Sequence, residues 1–151
     1  MYRGKKKIPL KGTILFYEKK LESIELIINE LLQYAEQDVV IIVEGIKDVR
    51  SLKRLGIDGH FELATHRSLL DFCEQIAREH DSVLILTDWD RRGDILENKL
   101  VRIFRSLDID PDVKLRKKLS SLVKADIKDV EGLASYVSTL KRMSHHSDYT
   151  E

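Results

Sequence analysis

Two apolar runs in this chain end on acid. Val39-Val40-Ile41-Ile42-Val43 stops at Glu44-Gly45, and Val83-Leu84-Ile85-Leu86-Thr87 stops at Asp88-Trp89-Asp90. Carboxylates gathered in one place repel one another, and such a group is stable only where protons or cations neutralise it. Oxygen-only donors suit hard cations, Mg²⁺ or Mn²⁺, rather than Zn²⁺. On extended backbone the alternation at 88 and 90 turns both side chains the same way, which favours a shared metal or a metal pair. Glu44, Asp88 and Asp90 are therefore the candidate metal ligands and catalytic residues. No rival set competes with them. The five histidines (60, 66, 80, 145 and 146) follow no zinc-like spacing with cysteine, and no glycine fingerprint for a nucleotide is present.

The neighbours of these acids have two readings each. An acid at a strand end is often a turn former or a helix cap. Two buried strands ending alike shift the balance toward a site. Asp48, four residues after Glu44, either points to the same edge as an accessory acid, or caps the helix or pairs with Lys47 or Arg50. Arg91 and Arg92 suit phosphate through bidentate hydrogen bonds, and they also balance the aspartates. Lys47 has the same charge beside Glu44. Gly45 and Gly93 allow the backbone close to a phosphate. Trp89 is expected to pack on the core or rim rather than to stack on a base.

The elements that must position these residues follow from periodicity. Residues 16–36 repeat apolar side chains at helical spacing, with Leu21, Ile24, Ile28, Leu31, Leu32 and Ala35 on one face. The β-branched run 39–43 reads as a strand covered on both faces of a parallel sheet. A short helix follows, with Val49, Leu52 and Leu55 inward and Gly56 as its C-terminal cap. Residues 61–64 suit a second strand, 66–79 an amphipathic helix, and 83–87 the second strongly buried strand. After Gly93, a helix starting near Asp94 carries the stripe Leu96, Leu100, Ile103 and Leu107. Val113-Lys114-Leu115 reads as a short edge strand, and 129–140 as a final helix. Alternating strands and helices predict an α/β fold, a mostly parallel sheet of about four strands with right-handed crossovers and helices on both faces. In such sheets ligands bind at the carboxyl ends of the strands, where all three acids fall.

Bulk composition narrows the classes. A chain of 151 residues is expected to form one domain, divided here into a basic arm and helix over 1–37, a core over 38–141 and a polar tail over 142–151. The arm holds Arg3, Lys5, Lys6, Lys7 and Lys11 without an acid, either as a solvated start or as a phosphate contact. Charged residues make up 34% of the chain, yet 26 basic and 26 acidic side chains cancel. Global charge thus gives no argument for a polyanionic partner. Cys73 is the single cysteine and reads as core, so no internal disulfide forms, and a reducing cytoplasm is the expected home. No run approaches the roughly 20 apolar residues of a membrane span.

At the two acid-tipped strands the sequence resembles the Toprim family, a domain shared by type IA and type II topoisomerases, bacterial-type primases, certain nucleases and small ribosomal-RNA maturation ribonucleases. The first motif reads VVIIVEGIKDV and the second VLILTDWDRRGD, with Glu44 and Asp88 44 residues apart. The Glu-Gly-x-x-Asp form at Glu44, Gly45 and Asp48 is most similar to the primase and maturation-ribonuclease branches. The likeness covers about 38–116 and is that of a small stand-alone Toprim protein, primase-like, of the kind found in archaea. It implies Mg²⁺ and nucleic-acid phosphodiester chemistry at Glu44, Asp88 and Asp90. Full primase or topoisomerase activity is not expected, because the accompanying domains are absent from this sequence. The further acid that type IA topoisomerases place two positions after the second aspartate is Arg92 here. Asp94 is an accessory acid to which the motif assigns no role, and the number of metals stays open.

The resemblance implies a metal-dependent nuclease or RNA-processing factor acting on RNA or DNA, with Glu44 completing the metal shell or moving a proton. The alternative is a non-catalytic module that binds nucleic acid or a protein partner within a larger complex. A small phosphate ester as substrate would suit the zero net charge.

Overall fold

The computed structural model describes residues 13–64 and 68–144. The basic arm 1–12, the start of the 66–79 helix and the tail from 145 lie outside the described residues. The chain runs α1 (Ile14–Glu36), β1 (Val40–Val43), α2 (Ile46–Arg54), β2 (His60–Leu63), α3 (Leu69–Glu79), β3 (Val83–Ile85), α4 (Arg91–Ser106), α5 (Lys114–Val123) and α6 (Leu133–Ser144). The three strands form a parallel sheet in the order β2-β1-β3. Among the described residues no helix is long and apolar enough to cross a membrane.

The alternation of β1 explains why its sequence is apolar throughout. Ile41 and Val43, with Leu84 and Leu86, face a core built by α1, α2, α5 and α6. Val40 and Ile42, with Val83 and Ile85, face a second core built by α3 and α4, where Phe72, Cys73 and Phe104 are fully buried. Both faces are covered, so neither has polar positions. Burial pushes the Cys73 thiol up to about 12, which suits its reading as core.

Helix boundaries follow local chemistry. The Thr13 hydroxyl accepts from the Phe16 amide and starts α1. Gly56, at φ +90°, lies just past α2, as its cap position predicts. Three differences from expectation bear on the site and the sheet. The fourth helix begins at Arg91 rather than near Asp94, because the Asp90 carboxylate caps it by accepting from the Gly93 amide at 2.7 Å. The last helix begins at Leu133 rather than 129. The expected edge strand over 113–115 is the first turn of α5 instead, so the sheet has three strands rather than about four. Only Asp112 bridges to Leu84. Its carboxylate then accepts from the Lys114 amide at 2.9 Å and turns the chain into a helix. Leu115, Leu119 and Val123 recur every fourth residue and are buried. Three residues of alternating pattern are too few to separate a strand from an amphipathic helix.

This topology creates a crevice. The crossover from β1 passes through α2 outward to β2, whereas the chain leaving β3 passes through α4 to Asp112 on the far side of β3. Neighbouring strands whose connections diverge leave space at their carboxyl ends, and Glu44 and Asp88 lie there.

Candidate metal centre

Glu44 follows β1 directly, and its Oε2 accepts from the Asp88 amide at 2.9 Å. This bond ties the ends of the two central strands together across the crevice. Gly45 caps α2, and its amide donates to Asp48 Oδ2 at 3.0 Å. Asp48 is buried, at 5% exposure, on the first turn of α2. Asp88 is half-buried, and its Oδ1 accepts from the Val130 amide at 3.0 Å. Asp90 is exposed and occupied as the cap of α4.

The electrostatics identify which acids act on one another. Burial, above all, pushes the Asp88 carboxyl up to about 7. The Val130 amide works against the shift, and Asp48, Glu44 and Asp129 add to it. Burial likewise raises Asp48, opposed by the Gly45 amide and reinforced by Glu44, Asp129 and Glu131. Glu44, Asp48 and Asp129 are thus the charges that act on Asp88, and Glu131 acts on Asp48. Asp90 is not among the charges that move Asp88. Asp94 pairs with Arg116 at 2.7 Å and is not among the charges that move Asp88 either. Lys47, Arg91 and Arg92 are exposed around the crevice.

Two contributions escaped the sequence reading. The first is the loop between α5 and α6. It delivers Asp129 and the Val130 amide, and it receives Trp89, whose Nε1–H donates to the Ile127 carbonyl at 2.7 Å and whose amide donates to the Lys128 carbonyl. Trp89 packs against the core as expected. The second is Arg116, at 6% exposure. Its Nε donates to the Thr87 carbonyl at 2.8 Å, its Nη2 to the Asp88 carbonyl and Asp94, and its Nη1 pairs with Glu97 at 3.2 Å. One guanidinium thus holds the carboxyl end of β3 in place. Nothing in the spacing of a lysine- and arginine-rich stretch singles out that residue; its inward place appears only once α5 is a helix, with Arg116 buried beside Leu115 and Leu119.

Gly93 has a structural reason beyond ligand access. A Cβ there would stand 1.7 Å from the Asp88 carbonyl oxygen. The Thr87 hydroxyl also donates to the Gly93 carbonyl at 2.9 Å. The first turn of α4 is wound directly onto the Asp88 backbone, which leaves no room for a side chain. Around Gly45, in contrast, an added Cβ would meet nothing within 4 Å, so that side of the crevice is open.

The donors fit a hard cation in kind. All are carboxylates, and each of Glu44, Asp48 and Asp88 uses one oxygen for a main-chain amide. The second oxygen of each accepts nothing from a described residue, even on the buried Asp48. Their mutual repulsion, expressed in the raised Asp88 value, is what a divalent cation would relieve. Among the described residues, however, no three His, Cys, Asp or Glu side chains stand grouped as a preformed metal-holding set.

The Toprim domain family matches this chain over residues 39–131, which covers both acid-tipped strands and the Asp129 loop. A UPF0292 protein of Methanosarcina barkeri is 54% identical over 125 residues, covering 83% of this chain and 87% of that protein. A UPF0292 protein of Methanosarcina acetivorans is 52% identical over 128 residues, covering 85% of this chain and 89% of that protein. One of Methanocaldococcus jannaschii is 36% identical over 124 residues, covering 82% and 93%. A solved structure described as a putative protein from Aquifex aeolicus superposes with a TM-score of 0.61 at 23% identity, covering 71% of this chain and 94% of that one; it shares the fold. The chain belongs to the Toprim domain family and, within it, stands with the archaeal UPF0292 proteins.

Proposed function

We propose that this chain is a Mg²⁺-dependent protein acting on nucleic-acid phosphodiester bonds, most simply a nuclease or RNA-processing factor. The observation that supports this best is that Glu44 and Asp88 follow two neighbouring strands and are joined by a hydrogen bond, that Asp48 acts on Asp88, and that one oxygen of each of these three acids accepts nothing from a described residue. Glu44, Asp88 and Asp90 would hold the cation, with Asp48 as an accessory acid. A bound Mg²⁺ supplies charge neutralisation and polarisation of a phosphate oxygen. Burial, with the neighbouring acids adding to it, raises the Asp88 carboxyl to about 7, so its proton must leave before it can hold the cation. Glu44 keeps the Asp88 backbone in register through its Oε2, and it either completes the metal shell or moves a proton as general acid or base. Lys47, Arg91 and Arg92 offset phosphate charge at the rim, and the open side at Gly45 admits the substrate backbone. The zero net charge is no obstacle, because the cations that matter are local.

A non-catalytic binding module is the second reading. Each acid already accepts from a main-chain amide, and Asp90 is engaged as a helix cap, as carboxylates in a structural role would be. Cleavage of labelled RNA and DNA oligonucleotides with and without Mg²⁺ separates the two. Wild type should cleave only with Mg²⁺, and Asp88→Asn and Glu44→Gln should each lower the rate by at least a hundredfold with the circular dichroism spectrum unchanged. Full rate in both variants would remove the acid cluster from the chemistry. Tight Mg²⁺-dependent binding without cleavage on any substrate would favour the binding module.

A further inference from the structure

The segment 113–128 holds six basic side chains and one acid in a chain whose net charge is zero. Most of it is α5, the helix hidden from the sequence reading. Two of the six cations are engaged: Arg116 inside the protein with Asp94 and Glu97, and Lys118 with Glu30. Lys114, Lys117, Lys124 and Lys128 are exposed and have no ion pair among the described residues. Positions 114, 117, 121 and 124 recur every three to four residues, so three of these lysines and Ser121 form one stripe along the outer face of α5.

The placement of these charges opposes helix stability. Lys114 and Lys117 sit in the opening turns of α5, which contain no acid. That end of a helix carries partial positive charge and is stabilised by Asp or Glu rather than lysine. The one carboxylate at that end is Asp112, before the helix, and it accepts from the Lys114 amide rather than pairing with either lysine among the described residues. A solvated helix face under no other constraint would alternate charges; this one concentrates a single sign.

Both ends of the segment are fastened to the acid crevice. Arg116, at the start of α5, binds the Thr87 and Asp88 carbonyls. At the far end, the Lys128 carbonyl accepts from the Trp89 amide, and the Val130 amide donates to Asp88. A helix of ten residues is only about 15 Å long, so every lysine of the stripe lies within a few nucleotides' reach of Asp88. The crevice is acidic and repels a polyanion, which makes a neighbouring cationic path necessary for a long phosphate chain and needless for a small ester.

We propose that Lys114, Lys117, Lys124 and Lys128 form a track for the phosphodiester backbone of a nucleic-acid strand, running along α5 into the carboxyl edge of the sheet. The proposal rests on the nucleic-acid reading above and adds the face on which the strand lies. The spacing of the lysines contacts phosphates and no base edges, so the track gives affinity and register without sequence preference.

The test is fluorescence anisotropy with a fluorescein-labelled 20-base-pair DNA duplex and a labelled 20-nucleotide RNA, in EDTA across a salt series. Each phosphate neutralised contributes about 0.9 to the slope of log affinity against log salt on duplex and about 0.7 on single strands. Converting the four lysines to glutamine should therefore make the slope shallower by about 3 and weaken binding at low salt by tenfold or more. A control variant with Lys19, Lys53, Arg78 and Lys141 changed to glutamine removes the same charge from exposed positions on α1, α2, α3 and α6 and should bind as wild type does. Equal losses in the two variants would mean that only total charge matters, and would overturn the track. Unchanged binding in the α5 variant would overturn it while leaving the nucleic-acid reading intact. Failure of wild type to bind either probe in EDTA would overturn the track, and failure to bind with Mg²⁺ present as well would overturn both. Labelled polyglutamate binding as tightly as RNA would reassign the face to an acidic protein and refute the track.

Discussion

Replacing Arg116 by leucine tests how the carboxyl end of β3 is held. The substitution keeps an apolar side chain at the inward position and removes every donor. The Thr87 carbonyl, on a fully buried residue, loses its guanidinium partner, as does the Asp88 carbonyl. A buried acceptor left without a partner costs about 1–3 kcal/mol. Glu97, with a side chain only 17% exposed, loses its cation, and breaking a buried pair from one side costs about 3–5 kcal/mol. Asp94 is 62% exposed at the side chain and adds little, because solvent screens it. These effects overlap, so a total of roughly 3–5 kcal/mol is expected. For a domain of this size about 2–4 °C of Tm is lost per kcal/mol, so the midpoint should fall by about 6–20 °C. The loss also has a pH signature. Burial raises the Glu97 carboxyl, while Arg116 pulls it down; without the arginine it rises further. A carboxyl whose folded value lies above its unfolded value favours the folded state at low pH, and that stability is lost as pH rises through the folded value. The Arg116→Leu deficit should therefore be smaller near pH 5 than near pH 8. Differential scanning calorimetry of both proteins at the two pH values measures it. A drop under about 3 °C, or a deficit that ignores pH, would refute the assignment of Arg116 as the clamp.

Two further outcomes follow from the site. Gly93→Ala should destabilise the protein by several kcal/mol and disturb Asp88, because the new Cβ would meet the Asp88 carbonyl oxygen at 1.7 Å; a variant with wild-type Tm would mean that the α4 turn is not wound onto that backbone as described. With the Asp88 carboxyl near 7, Mg²⁺ affinity measured by calorimetry should tighten as pH rises from 6 to 8, since the proton must leave before a cation enters. The same raised value means that Asp88 favours folding at low pH and ceases to do so as pH passes 7, so added Mg²⁺ should raise Tm at pH 8 and barely at pH 6; equal shifts at both would detach Asp88 from the metal.

Periodicity and strand ends made much of the architecture legible in one dimension. The unbroken β-branched run 39–43 required cover on both faces, and the structure supplies it with α1, α2, α5 and α6 on one side and α3 and α4 on the other. Glu44 and Asp88 converge because they terminate adjacent parallel strands, and the hydrogen bond between them is the direct result. Asp48 was legible as an acid four residues on; only the structure shows that it is buried, accepts from the Gly45 amide and acts on the Asp88 charge.

The rest depended on contacts between residues far apart in the chain. Three residues of alternation at 113–115 fit a strand or a helix turn equally, and the Asp112 carboxylate decided for α5 by capping it. Asp129 and the Val130 amide reach Asp88 from 41 and 42 residues away, and Arg116 reaches it from 28; no local pattern encodes such pairings. Asp90 shares its motif with Asp88, yet the helix start that it caps draws it out of the repelling group. Residue type and spacing along the chain determine which strands are buried and which acids end them. Burial, charge coupling and side-chain partners depend on what the other elements bring to the same place, and only the packed structure could decide those.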